Sequence, residues 1–398
     1  MARDLRILVT GGGTGGHTAP AIATVAAIRK LLSERQDHIN PVFLYVGSEA
    51  GLESRMARES GLDFVAIATG KLRRSSNPLR MINTANVRDA FRVPLGFLQA
   101  VKVVRGFRPD VIFSTGGYVS VPAVFAAKIL HRPVLMHEQT VQIGLANQWS
   151  AHVAARIALS YEESAQELNS ADQKKAFVTG GVVRQVVLGG NPESARERYG
   201  FTGENSKYPV IYVTGGAQGS NIINKSILEA LPGLLAQCCI IHQCGSQRQG
   251  TPQDEELLNA ARENLPEALR GRYFITKFVG DEIGDVYALA DLIIGRSGAG
   301  TVSEACAVGK PAIFVPLVPT GGDEQTKNAK RLAAIGAAVI ITQSEINGAV
   351  LVERVTEMLN DQVGLKAMGD AARTQASPDA AKVLAQAIVV LGLNRSKS

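Results

Sequence analysis

The chain of 398 residues is too long for one ordinary hydrophobic core and suits two domains of about 200 residues each. With 45% hydrophobic and 20% charged residues, its composition is typical of a folded protein and excludes a disordered one. We expect neither a membrane-spanning helix, which needs about 18–20 apolar residues, nor a signal peptide. The four cysteines lack the spacing of a zinc site or a disulfide framework, so we expect a reducing cytoplasm.

The net charge of +6 is concentrated in residues 71–108. This segment has nine Lys and Arg residues against one acid, Asp89, so it carries +8 and the rest of the chain sums to −2. Basic residues mixed with apolar ones favour an anionic lipid surface or a phosphate-rich partner. From charge alone, a solvated basic region is an equal alternative. Nucleic acid is a weaker one, because no nucleic-acid-binding module accompanies the segment.

A strand, a glycine-rich loop and a helix occur twice, half the chain apart. Residues 5–9 are apolar and lead into residues 10–17, Thr-Gly-Gly-Gly-Thr-Gly-Gly-His, after which apolar residues recur at helical spacing. Residues 210–213 lead in the same way into residues 214–220, Thr-Gly-Gly-Ala-Gln-Gly-Ser. The repeat predicts two Rossmann-like halves.

Short apolar segments alternate with helical ones in both halves, which predicts an α/β fold with parallel sheets. The further strands are predicted at residues 42–46, 64–67, 111–114, 133–136 and 156–160, and at residues 239–243, 272–278, 291–294, 312–315 and 337–341. Glycines and a proline place the join within residues 180–207. We therefore predict an N-terminal domain, residues 1–184, and a C-terminal domain, residues 185–369. The C-terminal helix, about residues 370–398, is a candidate to pack back on the first domain.

The first glycine loop has G-x-G-x-x-G spacing at Gly11, Gly13 and Gly16. It lacks the acidic residue that dinucleotide-binding folds place about 20 residues further on. A nicotinamide oxidoreductase is therefore disfavoured, and so is a P-loop kinase, because G-x-x-x-x-G-K-[ST] does not occur. His17 closes this loop at a helix start, which suits a neutral imidazole acting as a general base. A capping or packing histidine is the alternative.

The strongest site signal is residues 296–304, Arg-Ser-Gly-Ala-Gly-Thr-Val-Ser-Glu. The free N–H groups of such a helix start can hold a diphosphate, and Glu304, one turn inside, can bind ribose hydroxyls. Asp323, Gln325 and Asn328 follow a later strand and suit sugar hydroxyls. No D-x-D sequence occurs, so we expect a leaving diphosphate to be stabilised by backbone donors, without a metal or other cofactor.

These motifs resemble those of glycosyltransferase family 28, which includes the UDP-N-acetylglucosamine:lipid I N-acetylglucosaminyltransferases of bacterial peptidoglycan synthesis. The matching segments are residues 11–20, 47–53, 116–120, 137–139, 144–147, 296–304 and 325–329. The resemblance implies a GT-B fold, in which two Rossmann-like domains face each other across a cleft. It also implies an inverting transfer of N-acetylglucosamine (GlcNAc) from UDP-GlcNAc to the C4 hydroxyl of the N-acetylmuramic acid (MurNAc) of lipid I, which gives lipid II.

The resemblance assigns roles to individual residues. His17 is the implied catalytic base. Glu138 is grouped with it as catalytic and, together with Asn147, is implied to support the site. UDP-GlcNAc binding is implied for Thr14, Gly15, Gly16, Asn147, Arg184, Gln218, Gly219, Val279, Ala299, Gly300, Thr301, Val302, Ser303, Glu304 and Gln325. Within this set, the backbone at Val279 would hold the uracil and Gln325 the GlcNAc. The implied acceptor-binding residues are Gly117, Tyr118 and Ser120.

Three positions depart from the family pattern. Thr140 replaces an asparagine that contacts the donor, and Ala217 replaces a serine in the second glycine loop. Gly181-Val182 replaces the Asn-Pro of an interdomain N-P-V-R segment that ends at Arg184. We expect each departure to remove or loosen one contact while leaving the scaffold intact.

The resemblance implies that the basic segment docks the protein peripherally on the cytoplasmic face of the bacterial inner membrane, where lipid I is presented. The residues expected to contact anionic phospholipids are Arg73, Arg74, Leu79, Arg80, Met81, Ile82 and Phe91. Proteins of cell-wall or division complexes are candidate partners, and nucleic acid is not expected. Two alternatives stay open, namely a GT-B transferase with another lipid or small-molecule acceptor and a sugar-nucleotide-binding protein without turnover.

Overall fold

The chain forms two compact units in a computed structural model. The structure describes residues 3–36, 38–70, 84–246, 254–318 and 323–395, with residues 84–91 and 395 described by their backbone alone. One unit comprises residues 1–183 and 377–398, and the other comprises residues 184–376. No helix in the described ranges is both long and apolar enough to cross a membrane.

The first unit is built on a sheet in which seven described strands are all parallel to their neighbours. They are β1 (Arg3–Thr10), β2 (Ile39–Gly47), β3 (Asp63–Ala66), β4 (Val111–Ser114), β5 (Val134–Glu138), β6 (Arg156–Leu159) and β7 (Ala176–Val178). Their order is β3-β2-β1-β4-β5-β6-β7. The sequence does not predict β7, because it has only three residues and Val178 is half exposed.

Helices cover both faces of this sheet because its strands are apolar on both sides. They are α1 (Gly15–Ser33), α2 (Leu52–Glu59), α3 (Thr84–Phe107), α4 (Val121–Ile129), α5 (Leu145–Val153) and α6 (Ser170–Gln173), with a 3-10 helix at Glu162–Glu167. On β1, Leu5, Ile7 and Val9 pack against α1 and the last helix of the chain, whereas Leu8 packs on the opposite face with residues of α3 and α4. Each such buried side chain stabilises the unit by about 1.5–3 kcal/mol.

The second unit repeats this architecture. Its described strands are β8 (Val210–Thr214), β9 (Cys239–Gln243), β10 (Tyr273–Thr276), β11 (Leu292–Gly295), β12 (Ala312–Phe314) and β13 (Ala338–Ile340). They are parallel and lie in the order β10-β9-β8-β11-β12-β13.

The helices of the second unit pack on this sheet around one apolar core. They are α7 (Pro192–Arg198), α8 (Asn221–Leu235), α9 (Asp254–Glu263), α10 (Glu267–Arg270), α11 (Ile283–Leu289), α12 (Ala299–Val308), α13 (Glu324–Ala334), α14 (Gly348–Asn360) and α15 (Gln362–Arg373). Two 3-10 helices lie at Gln185–Gly189 and Gly203–Lys207. The last helix, α16 (Ala380–Arg395), belongs to the first unit. It begins later than the predicted residue 370 because residues 370–373 belong to α15, and Pro378 disfavours helical backbone in the residue before it.

Both sheets reverse their strand order at one point, between β1 and β4 in the first unit and between β8 and β11 in the second. Ligands of open parallel sheets bind at the carboxyl ends of the strands beside such a reversal. The loops that follow these four strands are residues 11–14, 115–120, 215–220 and 296–298. Most of the predicted site residues lie in or beside them. The predicted α/β class with two Rossmann-like domains is confirmed.

Candidate active site

The first glycine loop is held from below by a buried carboxylate. Glu53 is fully buried, and its Oε2 accepts the Gly13 N–H at 3.1 Å while its Oε1 accepts the N–H and hydroxyl of Ser48 at 3.1 and 2.6 Å. The Gly13 amide is therefore already used. Helix α1 begins immediately afterwards, so the N–H groups of Gly15 and Gly16 have no partner within the helix. An anion at this loop would bind those two amides.

His17 lies in the first turn of α1 and is held by the residues after β4 and β5. Its Nδ1 lies 2.9 Å from the Thr115 carbonyl oxygen and 2.9 Å from Oε1 of Gln139. The Thr115 hydroxyl donates to the His17 carbonyl at 2.8 Å. The ring is only partly buried, so its other nitrogen is available for chemistry.

Glu138 is placed for support rather than for contact with a substrate. It ends β5, is 1% exposed, and its Oε1 accepts the Thr140 N–H and hydroxyl at 3.0 and 2.8 Å. Its Oε2 accepts the Gly144 N–H at 3.0 Å and Asn147 Nδ2 at 2.9 Å. A carboxylate has about four acceptor positions, and the three amide donors occupy three of them. The Thr140 hydroxyl has a single proton, for which the Gln142 carbonyl oxygen competes at 2.6 Å. The geometry therefore favours a structural role for Glu138 over the catalytic one expected from the sequence.

The buried polar side chains around Glu138 continue this support. Asn147 also donates to the His137 carbonyl at 3.3 Å, and its buried Oδ1 has no partner among the described residues. His137 is fully buried, and burial, together with the nearby charge of His17, lowers its pKa to about 3. His137 therefore stays neutral at physiological pH. The Asn147 side-chain amide packs against Gly116, in the loop that follows β4.

The loop after β4 contains the predicted acceptor-binding residues. Its Gly116 carbonyl accepts the Gly12 N–H at 3.2 Å, which ties it to the first glycine loop, and the Tyr118 ring packs against Gly13. Ser120 is fully buried, and both its N–H and its hydroxyl donate to the Gly117 carbonyl, at 3.1 and 2.9 Å. Ser120 thus closes the turn, and Gly117 and Tyr118 form the partly exposed edge of the loop.

In the second glycine loop, residues 215–220, some backbone groups are hydrogen-bonded to each other. The Gly219 N–H donates to the Gly216 carbonyl at 3.0 Å, so it is not free for a phosphate as the sequence suggests. Gln218 is exposed at the tip. Buried Gln243, at the end of β9, donates to the Thr214 hydroxyl and the Gly216 carbonyl at 3.0 and 3.1 Å. This residue fixes the start of the loop.

The proposed uracil position is partly occupied by the same glutamine. The Val279 N–H donates to Gln243 Oε1 at 2.9 Å, and Val279 is 1% exposed. A base that bound to the Val279 amide would have to replace this hydrogen bond. The neighbouring Phe278 is half exposed.

The start of α12 is the clearest anion cradle in the second unit. Gly298 is its N-cap in extended conformation, and no side chain caps the helix. The N–H groups of Ala299, Gly300 and Thr301 therefore have no helical partner, whereas the Val302 N–H already donates to the Gly298 carbonyl at 3.0 Å. Val302 and Ser303 are buried, so their side chains pack inside the unit.

Arg184 and Glu304, both predicted to bind UDP-GlcNAc, pair with each other. Arg184 Nε donates to Glu304 Oε1 at 2.7 Å, and an Arg184 terminal nitrogen donates to Oε2 at 3.0 Å. The Tyr287 hydroxyl also donates to Oε2, at 3.1 Å. Burial alone lowers the pKa of Arg184, but the charge and hydrogen bonds of Glu304 hold it above the ordinary arginine value. Three acceptor positions of Glu304 are used, which leaves about one for a ribose hydroxyl.

Helix α13 brings Gln325 to the loop after β11. Gln325 Oε1 accepts the Leu317 N–H at 3.0 Å, and its carbonyl accepts the Ser297 hydroxyl at 2.7 Å. Asn328 donates to the Ser297 carbonyl at 3.1 Å and is buried. Asn328 therefore supports the site from inside, whereas Gln325 is partly exposed and Asp323, the N-cap residue of α13, is exposed.

The positions that depart from the family pattern make local contacts. Thr140 uses its N–H and hydroxyl on Glu138, and Val182 is buried in the core of the first unit. The Ala217 carbonyl accepts the Ser246 N–H at 3.0 Å. The scaffold is thus continuous through all three positions.

Several predicted residues and features fall outside these contacts. Arg73, Arg74, Leu79, Arg80, Met81 and Ile82 lie outside the described residues, and Phe91 lies in the part of α3 described by its backbone alone. The described residues contain no cluster of three or more His, Cys, Asp or Glu side chains that could hold a metal ion. That the enzyme works without a cofactor stays a prediction.

Sequence reasoning missed four residues that build the site, namely Glu53, Gln139, Gln243 and Tyr287. Glu53 and Gln139 lie in matching motifs, so their position was a usable signal. Gln243 ends a strand, which is also a signal, because the ends of parallel strands carry ligand sites. Tyr287 lies inside a helix and gave none.

Comparisons with known proteins identify the family of this chain. The family 28 glycosyltransferase N-terminal domain matches residues 7–159, and the C-terminal domain of the same family matches residues 210–384. A Halothermothrix orenii protein named UDP-N-acetylglucosamine–N-acetylmuramyl-(pentapeptide) pyrophosphoryl-undecaprenol N-acetylglucosamine transferase is 33% identical over 382 residues, which are 96% of this chain and 97% of that protein. A Bacillus cereus protein of the same name, numbered 2, is 33% identical over 89% of this chain and 91% of its own.

A solved structure is similar over the same length. The crystal structure of Acinetobacter baumannii MurG matches with a TM-score of 0.68 and 27% identity, and covers 97% of this chain and 99% of its own. The chain therefore belongs to glycosyltransferase family 28. Within that family it is an enzyme of the MurG type, a transferase of peptidoglycan synthesis.

Proposed function

We propose that this enzyme transfers GlcNAc from UDP-GlcNAc to the C4 hydroxyl of the MurNAc of lipid I, with inversion at the anomeric carbon. The names of the relatives support this choice, since they specify an N-acetylglucosamine transferase and an N-acetylmuramyl-(pentapeptide) pyrophosphoryl-undecaprenol. The observation that carries the proposal is the start of α12, where three amides have no helical partner and no side chain of the described residues caps the helix.

The second unit binds the donor. A diphosphate presents several acceptor oxygens, and Ala299, Gly300 and Thr301 offer N–H donors at the positive end of a helix. Negative charge that develops on the departing UDP is stabilised by the same preorganised donors. The side-chain amide of Gln325 lies beside this helix start and offers its Nε2 to the sugar.

The first unit supplies the acceptor side of the reaction. His17 takes the proton of the C4 hydroxyl while that oxygen forms a bond to the anomeric carbon. The bond between this carbon and the β-phosphate oxygen breaks, and UDP leaves with the electron pair. Glu138 acts on this step only indirectly, because it is buried and holds the residues 140–147 segment through the Thr140, Gly144 and Asn147 amides.

The base and the acceptor are tested by a coupled UDP-release assay with a soluble lipid I analogue, with and without EDTA. We expect release that depends on the analogue and is unchanged by EDTA. His17→Ala should lower kcat by about 10²–10⁴-fold with a small change in the KM for UDP-GlcNAc. His152→Ala is the matched control, because this exposed histidine pairs with Asp172 away from the loops.

Other outcomes of this assay would identify the alternatives. UDP-GlcNAc binding without UDP release would indicate a non-catalytic sugar-nucleotide-binding protein. Release with a diacylglycerol or another small acceptor, but not with the lipid I analogue, would indicate a different GT-B transferase. Full activity of His17→Ala would remove His17 from the base role.

We also propose that the enzyme docks peripherally on anionic phospholipids of the inner membrane through the basic segment. The described half of α3 supports this, because Arg92, Leu95, Leu98, Lys102 and Arg105 recur at three- and four-residue spacing and are all exposed. Such spacing places them on one face of the helix. Each basic residue near an anionic surface contributes about 1 kcal/mol, which salt weakens.

Co-sedimentation with vesicles of phosphatidylglycerol and phosphatidylethanolamine tests this surface. Leu98→Glu, and separately the triple change of Arg73, Arg74 and Arg80 to glutamate, should each reduce the bound fraction severalfold. Val363→Glu in the second unit is the control, since Val363 is 82% exposed and far along the chain from α3. Unchanged binding of both test variants would refute membrane docking by this segment.

A further inference from the structure

The hydrogen bonds around Gln139 determine which nitrogen of His17 carries the proton. Gln139 follows β5 directly and is 4% exposed. Its side-chain amide lies between the Thr115 carbonyl, the His137 carbonyl and the His17 ring.

The orientation of the Gln139 amide is fixed by two carbonyl oxygens. Its Nε2 lies 2.9 Å from the Thr115 oxygen and 2.8 Å from the His137 oxygen. Carbonyl oxygens only accept hydrogen bonds, so the NH₂ group must face them. A flipped amide would place Oε1 against two acceptors, which excludes it.

With this orientation, Oε1 of Gln139 faces His17. Nδ1 of His17 lies 2.9 Å from that oxygen and 2.9 Å from the Thr115 oxygen, and both are acceptors. Nδ1 therefore carries the proton. In a neutral imidazole the lone pair is then on Nε2, which is the atom that a general base needs.

Buried His137 also contacts the Gln139 amide, and it does not change the orientation of that amide. Its Nδ1 lies 3.3 Å from Gln139 Nε2, and its Nε2 lies 3.2 Å from the Ser160 hydroxyl. Burial, together with the charge of His17, lowers the pKa of His137 to about 3, so it remains neutral when the enzyme works. At physiological pH the Gln139 amide therefore keeps the same hydrogen-bond partners, namely the Thr115 and His137 carbonyls and His17.

We propose that Gln139 is a positioning residue that, together with the Thr115 carbonyl, holds His17 in the Nδ1–H tautomer and leaves Nε2 free to take the acceptor proton. The inference rests on the proposed role of His17 as the base. After proton transfer, the imidazolium still donates its Nδ1–H to the same two oxygens. Gln139 therefore stabilises both the reactive tautomer and the charged product of the proton transfer.

The tautomer is measured directly by ¹⁵N NMR of the free full-length protein, at a pH where His17 is neutral. We expect a protonated Nδ1 and an unprotonated Nε2 in the native protein, and a mixture of both tautomers in Gln139→Leu. Gln148→Leu is the matched control, because this exposed glutamine donates to the Ile143 carbonyl, away from His17 in the hydrogen bonds of the described residues. A native His17 with a protonated Nε2, or an unchanged tautomer in Gln139→Leu, would overturn the proposal.

Kinetics distinguish this inference from the base role itself. Gln139→Leu should lower kcat about 10–100-fold, as expected for one hydrogen bond to a charged group, with the KM for UDP-GlcNAc within twofold. In a His17→Ala background, Gln139→Leu should have no further effect. A further fall there would show that Gln139 acts on the structure and not through His17, which would overturn the inference. Full activity of His17→Ala alone would overturn the base role, while the NMR result would still report on the tautomer.

Discussion

The ion pair between Arg184 and Glu304 should stabilise the second unit far more than an exposed pair of the same charges. The perturbation is Glu304→Gln, which removes the negative charge and keeps the shape. Two hydrogen bonds, at 2.7 and 3.0 Å, join the guanidinium to the carboxylate, and Glu304 is nearly buried. Tyr287 adds a third donor.

The magnitude follows from the burial of the two partners. Two unit charges about 4 Å apart attract by about 4 kcal/mol at an effective dielectric constant of 20. Removing one partner of a fully buried pair costs about 3–5 kcal/mol, and of an exposed pair about 0–1 kcal/mol. The Arg184 side chain is 33% exposed, which screens its charge, so we expect a loss near 2 kcal/mol for Glu304→Gln.

Calorimetry on the full-length protein measures this loss. For a unit of about 150–250 residues, 2 kcal/mol corresponds to a fall of roughly 4–8 °C in the melting temperature of its transition. Glu357→Gln is the matched control, because its 2.8 Å pair with Arg354 lies on the surface with both side chains about half exposed. We expect less than about 0.5 kcal/mol for this control.

A double-mutant cycle isolates the pair from the rest of the site. Glu304→Gln, Arg184→Met and the double variant should give a coupling energy of about 2 kcal/mol, since the second change removes little once the first is made. If Glu304→Gln were as mild as Glu357→Gln, or if the coupling were below about 0.5 kcal/mol, the reasoning from burial and geometry would be refuted.

Three further predictions concern the loops and the buried histidines. Gly117→Ala should destabilise the first unit by more than about 2 kcal/mol in urea unfolding, because φ is +80° and a Cβ would overlap a backbone oxygen; Gly61→Ala, with φ of +66° and open space, should cost only about 1 kcal/mol. His137 and His242 have folded-state pKa values near 3, below the ordinary 6.5, so the unfolded chain alone binds protons between those values. The two histidines therefore cost no stability above pH 6.5. Below pH 6.5 the free energy of unfolding should fall by about 1.4 kcal/mol per pH unit for each histidine. The midpoint of urea unfolding, measured against pH, tests this, and a flat profile would contradict it. Gln243→Leu should weaken UDP binding roughly tenfold in calorimetric titration, because it removes the hydrogen bonds that fix the start of the second glycine loop and the Val279 backbone, and unchanged affinity would remove that role.

The sequence was sufficient for the fold and the enzyme class. Residues 5–9 and 210–213, each followed by a glycine loop and an apolar helical period, predicted two Rossmann-like domains, and this is confirmed. Hydrophobic periodicity and glycine loops are local properties, so they can be read along the chain. The family resemblance and the transferase class are also confirmed. The individual ligand contacts remain predictions.

Only the tertiary structure decided which polar groups are already paired. Glu138 accepts hydrogen bonds from the loop that follows it, Ser120 is buried in its turn, and the Gly219 N–H donates to a carbonyl of its own loop. Arg184 and Glu304 are 120 residues apart in the chain, so no local sequence pattern predicts that two hydrogen bonds join them. A hydrogen-bonding group can bind a ligand only if no neighbour in space satisfies it first, and those neighbours come from distant strands and helices.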